Sequence, residues 1–156
     1  PTPPLSSSSA ASDVYKRQIH IIGVQSENVH GMAESFYKRD LTEHRVDSTI
    51  ADGCDVKVPG EQTYEVVKHL VDEFILVTEE EIEHAMKDLM QRAKIITEGA
   101  GALPTAAILS GKINNKWLED KNVVALVSGG NVDLTRVSGV IEHGLNIADT
   151  SKGGVG

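Results

Sequence analysis

The chain has 156 residues, of which 40% are apolar and 24% charged, a composition typical of one soluble domain with a core of its own. The net charge of -8 is spread along the chain, which argues against nucleic acid or an anionic membrane as the main partner. One cysteine cannot form an intramolecular disulfide, which favours the cytoplasm, and no apolar stretch approaches the length of a membrane span.

The first part of the chain, residues 1–18, differs in composition from the rest. It is rich in proline and serine and lacks the apolar centre of a secretory signal, so it predicts a disordered tail. We interpret residues 1–18 as a remnant of cloning and expect the globular part to begin at residue 19.

The first predicted elements are a strand and a helix. Residues 19–25 are rich in β-branched side chains and predict the strand, and residues 28–38 predict the helix. Residues 40–50 show no clear period and predict a loop. The Asp52-Gly53 pair that follows is a turn signal.

A second strand and two helices are predicted next. Residues 63–71 place apolar side chains on one helical stripe, and the short apolar segment 74–77 predicts a strand. Thr78 and Glu81 form the sequence signature of a capping box, so a helix is expected to begin there and to continue to residue 93.

The remaining elements complete an alternating pattern. Small residues open a helix over 97–110, which Gly111 ends. The valine-rich run 123–127 predicts a fully buried central strand, and a last helix is predicted over 132–143, closed by Gly144. The order β-α-α-β-α-α-β-α predicts an α/β fold with a mostly parallel sheet flanked by helices.

The turn after the predicted buried strand is the first candidate for a ligand site. Ser128 would stand at the carboxyl end of that strand, where ligands gather in open α/β sheets. Gly129 and Gly130 would let a ligand approach the backbone closely. The same residues also fit an ordinary strand-to-helix turn in which Asn131 or Asp133 caps the helix, so both interpretations stay open.

The second candidate is Glu98, which lies beside glycines at the N-terminus of a predicted helix. Its carboxylate either stabilises that helix terminus by about 0.3–1 kcal/mol or faces a ligand at the edge of the sheet. No GxxxxGK[S/T] loop, GxGxxG or HExxH motif occurs in the chain.

Other reactive side chains receive structural interpretations. The acidic run 79–81 suits capping and a solvated helix face better than a metal site. The six histidines are scattered, so no metal site is predicted from them. Cys54 has no CxxC partner and is expected to be buried as a small hydrophobic residue.

Four separate stretches together resemble one family. They are GVQSEN at 23–28, TIADG at 49–53, TEGAGA at 97–102 and SGGNVD at 128–133. Stretches similar to these occur in this order and at about these spacings in the threonine dehydratases (threonine ammonia-lyases), most closely in the biodegradative type, with serine racemase as a relative.

The resemblance implies a pyridoxal-phosphate enzyme of the tryptophan-synthase-like fold (fold type II). The full-length protein is therefore expected to convert threonine, and serine less well, to an oxo-acid and ammonia; in this family the cofactor supplies the electron sink and the protein supplies orientation. By resemblance, Ser128 hydrogen-bonds the pyridine nitrogen of the cofactor, and Gly129 and Gly130 keep space beside the ring. Glu98 resembles a carboxylate near the ring, and Asn131 resembles a residue that contacts the nucleotide activator AMP.

Two motifs of the family are absent from this chain. The family's Schiff-base lysine lies in Ser-Phe-Lys-x-Arg-Gly, and its glycine-rich phosphate loop should lie just before residue 19; neither occurs. The acidic metal ligands of serine racemase are matched here by Gln25 and Gly31, so no metal is expected. We therefore expect residues 19–145 to be the C-terminal part of the catalytic domain and 146–156 to be a tail. The chain by itself is expected to be inactive.

The resemblance also implies partners. The full-length protein is expected to act on a small amino-acid substrate in amino-acid catabolism or the isoleucine pathway, to respond to AMP and to form a homo-oligomer in the cytoplasm, without nucleic acid or membrane. The alternative is a non-catalytic ligand-binding or interaction module of α/β fold that kept this half of the enzyme.

Overall fold

The computed structural model describes residues 19–43 and 47–150, so the predicted tail 1–18 lies outside the described residues. None of the helices in the described part is both long and apolar enough to cross a membrane. The helices and strands are β1 (Ile22–Ser26), α1 (Gly31–Lys38), α2 (Glu61–Leu70), β2 (Glu73–Val77), α3 (Glu79–Asp88), α4 (Gly99–Leu109) and α5 (Leu134–Thr150).

The sheet pairs β1 with β2 in parallel, as the alternation of strands and helices predicts. Gly23 lies opposite Phe74 and Ser26 opposite Val77. Gly23 has a packing reason to be glycine, because a Cβ at this position would overlap the ring of Phe74. The two strands therefore bring their carboxyl ends, Ser26 and Val77, to the same edge.

The backbone of β2 also receives a side chain from α1. The Tyr37 hydroxyl accepts a hydrogen bond from Phe74 N at 3.0 Å and donates one to Phe74 O at 3.2 Å. These two backbone groups are therefore satisfied without a further strand.

The core lies between the sheet and the helices α3 and α4. The small residues predicted to let α4 pack closely are buried there, and the long side chains of α3 fill the space beside them. Fully or almost fully buried members of this core are Val77, Ile82, Ala85, Met86, Ala102, Leu103, Ala106 and Ala107.

The capping box predicted at the start of α3 is confirmed. Thr78 Oγ1 accepts from Glu81 N at 3.2 Å, and Thr78 N donates to a Glu81 carboxylate oxygen at 2.8 Å. The α-helix then passes into a π-helical turn over Leu89–Ala93, so the predicted length is right although the last turn is wider than an α-helix.

The prediction of a buried central strand over 123–127 is wrong for this structure. No strand forms there, and Val123, Val124 and Leu126 are 46%, 87% and 65% exposed. A central strand needs a neighbouring strand at each edge and helices packed over both faces, and the only strands among the described residues, β1 and β2, pair with each other. The sequence pattern of 123–127 therefore predicts a buried strand, but no described strand pairs with this run.

The last helix also differs from its prediction. Asp133 caps its start, since Asp133 Oδ1 accepts from Thr135 N and from Thr135 Oγ1, each at 2.9 Å. The predicted end at Gly144 is wrong, because α5 continues to Thr150. A single glycine inside a helix costs only about 1 kcal/mol, which one long helix tolerates. The limit of the catalytic part at residue 145 stays a prediction.

Candidate functional site

Two of the family-like stretches meet in space. Gly129 O accepts from Thr97 Oγ1 at 2.7 Å and from Glu98 N at 3.2 Å, and Asn131 N donates to Glu98 Oε2 at 3.2 Å. The backbone of residues 128–131, here called the glycine turn, is thus held by the two residues that precede α4. The sequence separates these partners by more than thirty residues, and only folding brings them together.

The glycines of both stretches are needed for this approach. A Cβ on Gly129 would overlap the Glu98 carboxylate, and a Cβ on Gly101 would overlap Thr97 Oγ1 and lie 2.9 Å from Gly129 O. Gly130 is also close, since its Cβ would lie 3.1 Å from Ile96 O. The glycine turn is therefore a site of close backbone contact with α4 rather than a free loop.

Ser128 stands at the open side of the glycine turn. It is exposed, and its hydroxyl makes no hydrogen bond within the described residues. The carbonyl of the next residue, Gly129, is held by Thr97, while the Ser128 hydroxyl remains available to a ligand. This geometry suits a hydroxyl that hydrogen-bonds a bound molecule.

Glu79 makes contacts that its predicted place on a solvated helix face does not include. Its carboxylate accepts from Ser26 Oγ at 2.5 Å, from Thr49 Oγ1 at 2.7 Å and from Ile50 N at 2.7 Å. The predicted solvated face is therefore wrong for this member of the run 79–81. Glu79 ties the end of β1 to the loop at 49–50, and no local signal in the sequence could reveal partners so distant.

That loop packs directly on the start of α4. The Ile50 carbonyl lies where a Cβ of Gly99 would be, and it also accepts from Arg136 Nη1 at 3.2 Å. Arg136 Nη1 lies 3.5 Å from Asp52 Oδ2 as well. The segment 49–52 therefore joins α4 and α5 beside the glycine turn.

A cavity of about 360 Å³ opens at this junction. Its charged lining carries three carboxylates against one guanidinium, so it favours groups that donate hydrogen bonds over free anions. The lining residues are Ile50, Asp52, Glu98, Gly99, Asn131, Val132, Asp133 and Arg136.

Cys54 lies next to this acidic lining. Burial raises the pKa of the Cys54 thiol, and the negative charges of Glu98 and Asp52 raise that pKa further. The thiol is half-buried against the core, which agrees with the predicted role as a small hydrophobic residue and keeps it protonated and weakly nucleophilic at neutral pH.

His20 and His69 lie beside aromatic or acidic side chains of this chain. His20 stacks on Trp117 with ring centroids 3.6 Å apart and lies 2.8 Å from a Glu73 carboxylate oxygen. His69 lies 3.8 Å from a Glu65 carboxylate oxygen on the same helix. Within residues 19–43 and 47–142, no three His, Cys, Asp or Glu side chains are grouped as metal ligands would be.

The chain is similar in sequence to proteins of known activity. A family model described as "Pyridoxal-phosphate dependent enzyme" matches residues 8–129. The L-threonine dehydratase catabolic TdcB of Staphylococcus aureus (strain USA300) is 96% identical over 142 residues, which are 91% of this chain and 41% of that protein. The chain therefore spans less than half the length of the curated relatives that it matches.

Solved structures give the same result for the fold. A serine racemase from maize superposes with a TM-score of 0.75 and 29% identity, covering 91% of this chain and 44% of that one. The processed form of threonine deaminase isoform 2 from Solanum lycopersicum superposes with a TM-score of 0.73 and 28% identity, covering 86% of this chain and 40% of that one.

Proposed function

Because this chain belongs to the pyridoxal-phosphate-dependent enzymes, we propose that it forms the C-terminal part of a threonine ammonia-lyase, which converts L-threonine to 2-oxobutyrate and ammonia. The observation that carries this proposal is the glycine turn, which is hydrogen-bonded to Thr97 and Glu98 and presents the exposed hydroxyl of Ser128. The 96% identity to a catabolic threonine dehydratase supports it independently.

The residues present fit one edge of the cofactor. The Ser128 hydroxyl, unpartnered among the described residues, suits a hydrogen bond to a pyridine nitrogen. Gly129 and Gly130 carry no Cβ, which lets the turn beside Ser128 pack against the Glu98 carboxylate and Ile96 O. Glu98 is bound to the same turn, because its carboxylate accepts a hydrogen bond from Asn131 N. We assign Ser128, Gly129 and Gly130 to the cofactor, with Glu98 close to the ring.

A serine at this position suits elimination. When bound, pyridoxal phosphate supplies an electron sink for the substrate's Cα. The neutral hydroxyl of Ser128 gives a hydrogen bond of about 0.5–1.5 kcal/mol without stabilising a positive charge on the ring nitrogen, as an aspartate would. Ser128 therefore limits how strongly the ring withdraws electrons from the substrate's Cα. This favours prompt loss of the β-hydroxyl over reactions that need a long-lived carbanion.

The motifs that would hold the cofactor covalently and grip its phosphate do not occur in these 156 residues. We therefore expect no turnover when the chain is purified with added pyridoxal phosphate and L-threonine, measured as oxo-acid formed. The full-length Staphylococcus aureus relative is the positive control. Measurable turnover by the chain alone would contradict its assignment as a part of the enzyme.

A substitution at Ser128 separates this proposal from a non-catalytic module. In the full-length relative, Ser128→Ala at the matching position should reduce turnover and change the visible absorption of the bound cofactor, because the hydroxyl no longer contacts the ring nitrogen. A normal rate and an unchanged spectrum would remove Ser128 from the site. A cofactor band in the isolated chain that borohydride bleaches would reveal a lysine outside the family's motif.

The wider roles of the full-length protein are part of the same proposal. We assign it a small amino-acid substrate, a cytoplasmic location and a homo-oligomeric state. Asn131, which lines the cavity of about 360 Å³, is proposed to contact the activator AMP. Since carboxylates dominate that lining, Asn131 is expected to meet the base or the ribose rather than the phosphate.

A further inference from the structure

We propose that Thr97 is a positioning residue for the cofactor, acting through the glycine turn on Ser128. This inference rests on the proposed function, because it concerns the residue assigned to the pyridine nitrogen. Thr97 is 1% exposed and lies at the junction of the turn and α4. The stretch 97–102 is part of the resemblance, but the sequence alone assigns no role to Thr97.

The hydrogen bond of Thr97 is well defined. Its hydroxyl lies 2.7 Å from Gly129 O and 3.1 Å from Glu98 O, and its single proton serves the shorter of these contacts. Gly129 O belongs to the residue that directly follows Ser128. Holding it restricts the backbone rotation that would swing the Ser128 hydroxyl away from a ligand.

The close packing around Thr97 leaves room for a side chain of its size, and only its hydroxyl can donate a hydrogen bond to Gly129 O. The absence of a Cβ at Gly101 leaves the space that Thr97 Oγ1 occupies. A valine would fill nearly the same volume with a methyl group but could not donate to Gly129 O. That carbonyl would keep only the longer bond from Glu98 N, at 3.2 Å. The fold should therefore survive while the glycine turn loosens.

Hydrogen–deuterium exchange with mass spectrometry tests the first step on this chain. Thr97→Val should speed exchange in peptides that cover residues 128–133 by roughly 2- to 10-fold, the effect of losing one hydrogen bond. Thr97→Ser keeps the donor and should exchange at the original rate. Unchanged exchange in Thr97→Val, or equal changes in both variants, would overturn the proposal.

Ser35→Ala is a matched control. Ser35 is equally buried, and its hydroxyl donates to Gly31 O at 2.7 Å inside α1. Its loss should alter exchange in α1 and leave peptides over 128–133 unchanged. A change at 128–133 in this variant would mean that the turn responds to general destabilisation, which would also overturn the proposal.

The second step is tested in the full-length Staphylococcus aureus relative at the matching positions. Thr97→Val should retain pyridoxal phosphate less tightly and shift its absorption band, and Thr97→Ser should restore both. Faster exchange with an unchanged band and affinity would refute the link to the cofactor. If the unmodified relative bound no cofactor, the proposed function would fail, whereas the exchange data would still decide whether Thr97 holds the turn.

Discussion

Glu98 illustrates how one side chain can serve two neighbours. One of its carboxylate oxygens accepts from Asn131 N, and its negative charge also reaches the Cys54 thiol, whose pKa is raised first by burial and then by Glu98 and Asp52. The carboxylate contributes to the shape of the glycine turn and to the electrostatics of the cavity beside it. Its effect on the thiol can be measured directly, because Cys54 is the only cysteine in the chain.

Replacing Glu98 by glutamine should lower the pKa of the Cys54 thiol. The raised pKa means that the thiol form persists to higher pH than in an ordinary cysteine, so removing one negative charge increases the thiolate fraction at a given alkaline pH. The midpoint of alkylation by iodoacetamide against pH should therefore move down. It should stay above that of a free cysteine, since burial and Asp52 remain.

Glu80→Gln is the control for this measurement. Glu80 is exposed and is not among the groups that raise the pKa of Cys54. Its replacement should leave the alkylation midpoint where it is. A midpoint in Glu98→Gln that stayed fixed or moved up would show that the Glu98 charge does not reach the thiol.

Helix α4 depends on a backbone contact at its first residue. Gly99 packs against the carbonyl of Ile50, and the loop that carries this carbonyl is tied down by Glu79. Helix α5 contains a contrasting glycine, because a Cβ at Gly139 would meet nothing within 4 Å. The same substitution should therefore have opposite effects in the two helices.

Gly99→Ala should lower the free energy of unfolding by about 1–3 kcal/mol, since its methyl group would collide with backbone that cannot move cheaply. Gly139→Ala should instead raise it by about 0.5–1 kcal/mol, through the better helix propensity of alanine. Denaturant titration followed by circular dichroism measures both. Similar changes in the two variants would mean that the Ile50 contact does not constrain α4.

The molecule as a whole exposes apolar side chains close together in the run 123–127. The valine-rich run 123–127 forms no strand and is largely exposed, and β1 has a strand neighbour on only one side among the described residues. Unpaired backbone and exposed valine and leucine side chains favour association between copies. The chain spans only 41% of its Staphylococcus aureus relative, which agrees with a surface that lacks its partner.

We therefore expect the isolated chain to self-associate, as sedimentation velocity would reveal. Val124→Lys should shift the distribution toward monomer, because a charge in the run opposes both stacking and strand pairing. Val66→Lys, at an exposed valine on α2, should not. A monomeric unmodified chain with a sharp, cooperative melt would contradict the assignment of this run as an uncovered interface.

The sequence by itself determined the features that are encoded within a few neighbouring residues. The capping box of Thr78 and Glu81, the helix stop at Gly111 and the two strands followed from local signals, and four short stretches were enough to indicate the family. These signals succeed because a cap or a period depends on residues less than two helical turns apart.

Only the tertiary structure decided the features that need distant partners. In the folded chain Thr97 donates a hydrogen bond to Gly129 O. Glu79 accepts one from the hydroxyl of Thr49, which lies thirty positions earlier. The tertiary structure also decided that the run 123–127 is exposed, although its composition is that of a buried strand. Burial and long-range hydrogen bonds depend on which surfaces meet in the folded chain, and an apolar pattern shows what a segment can bury but not whether a neighbour is there to bury it.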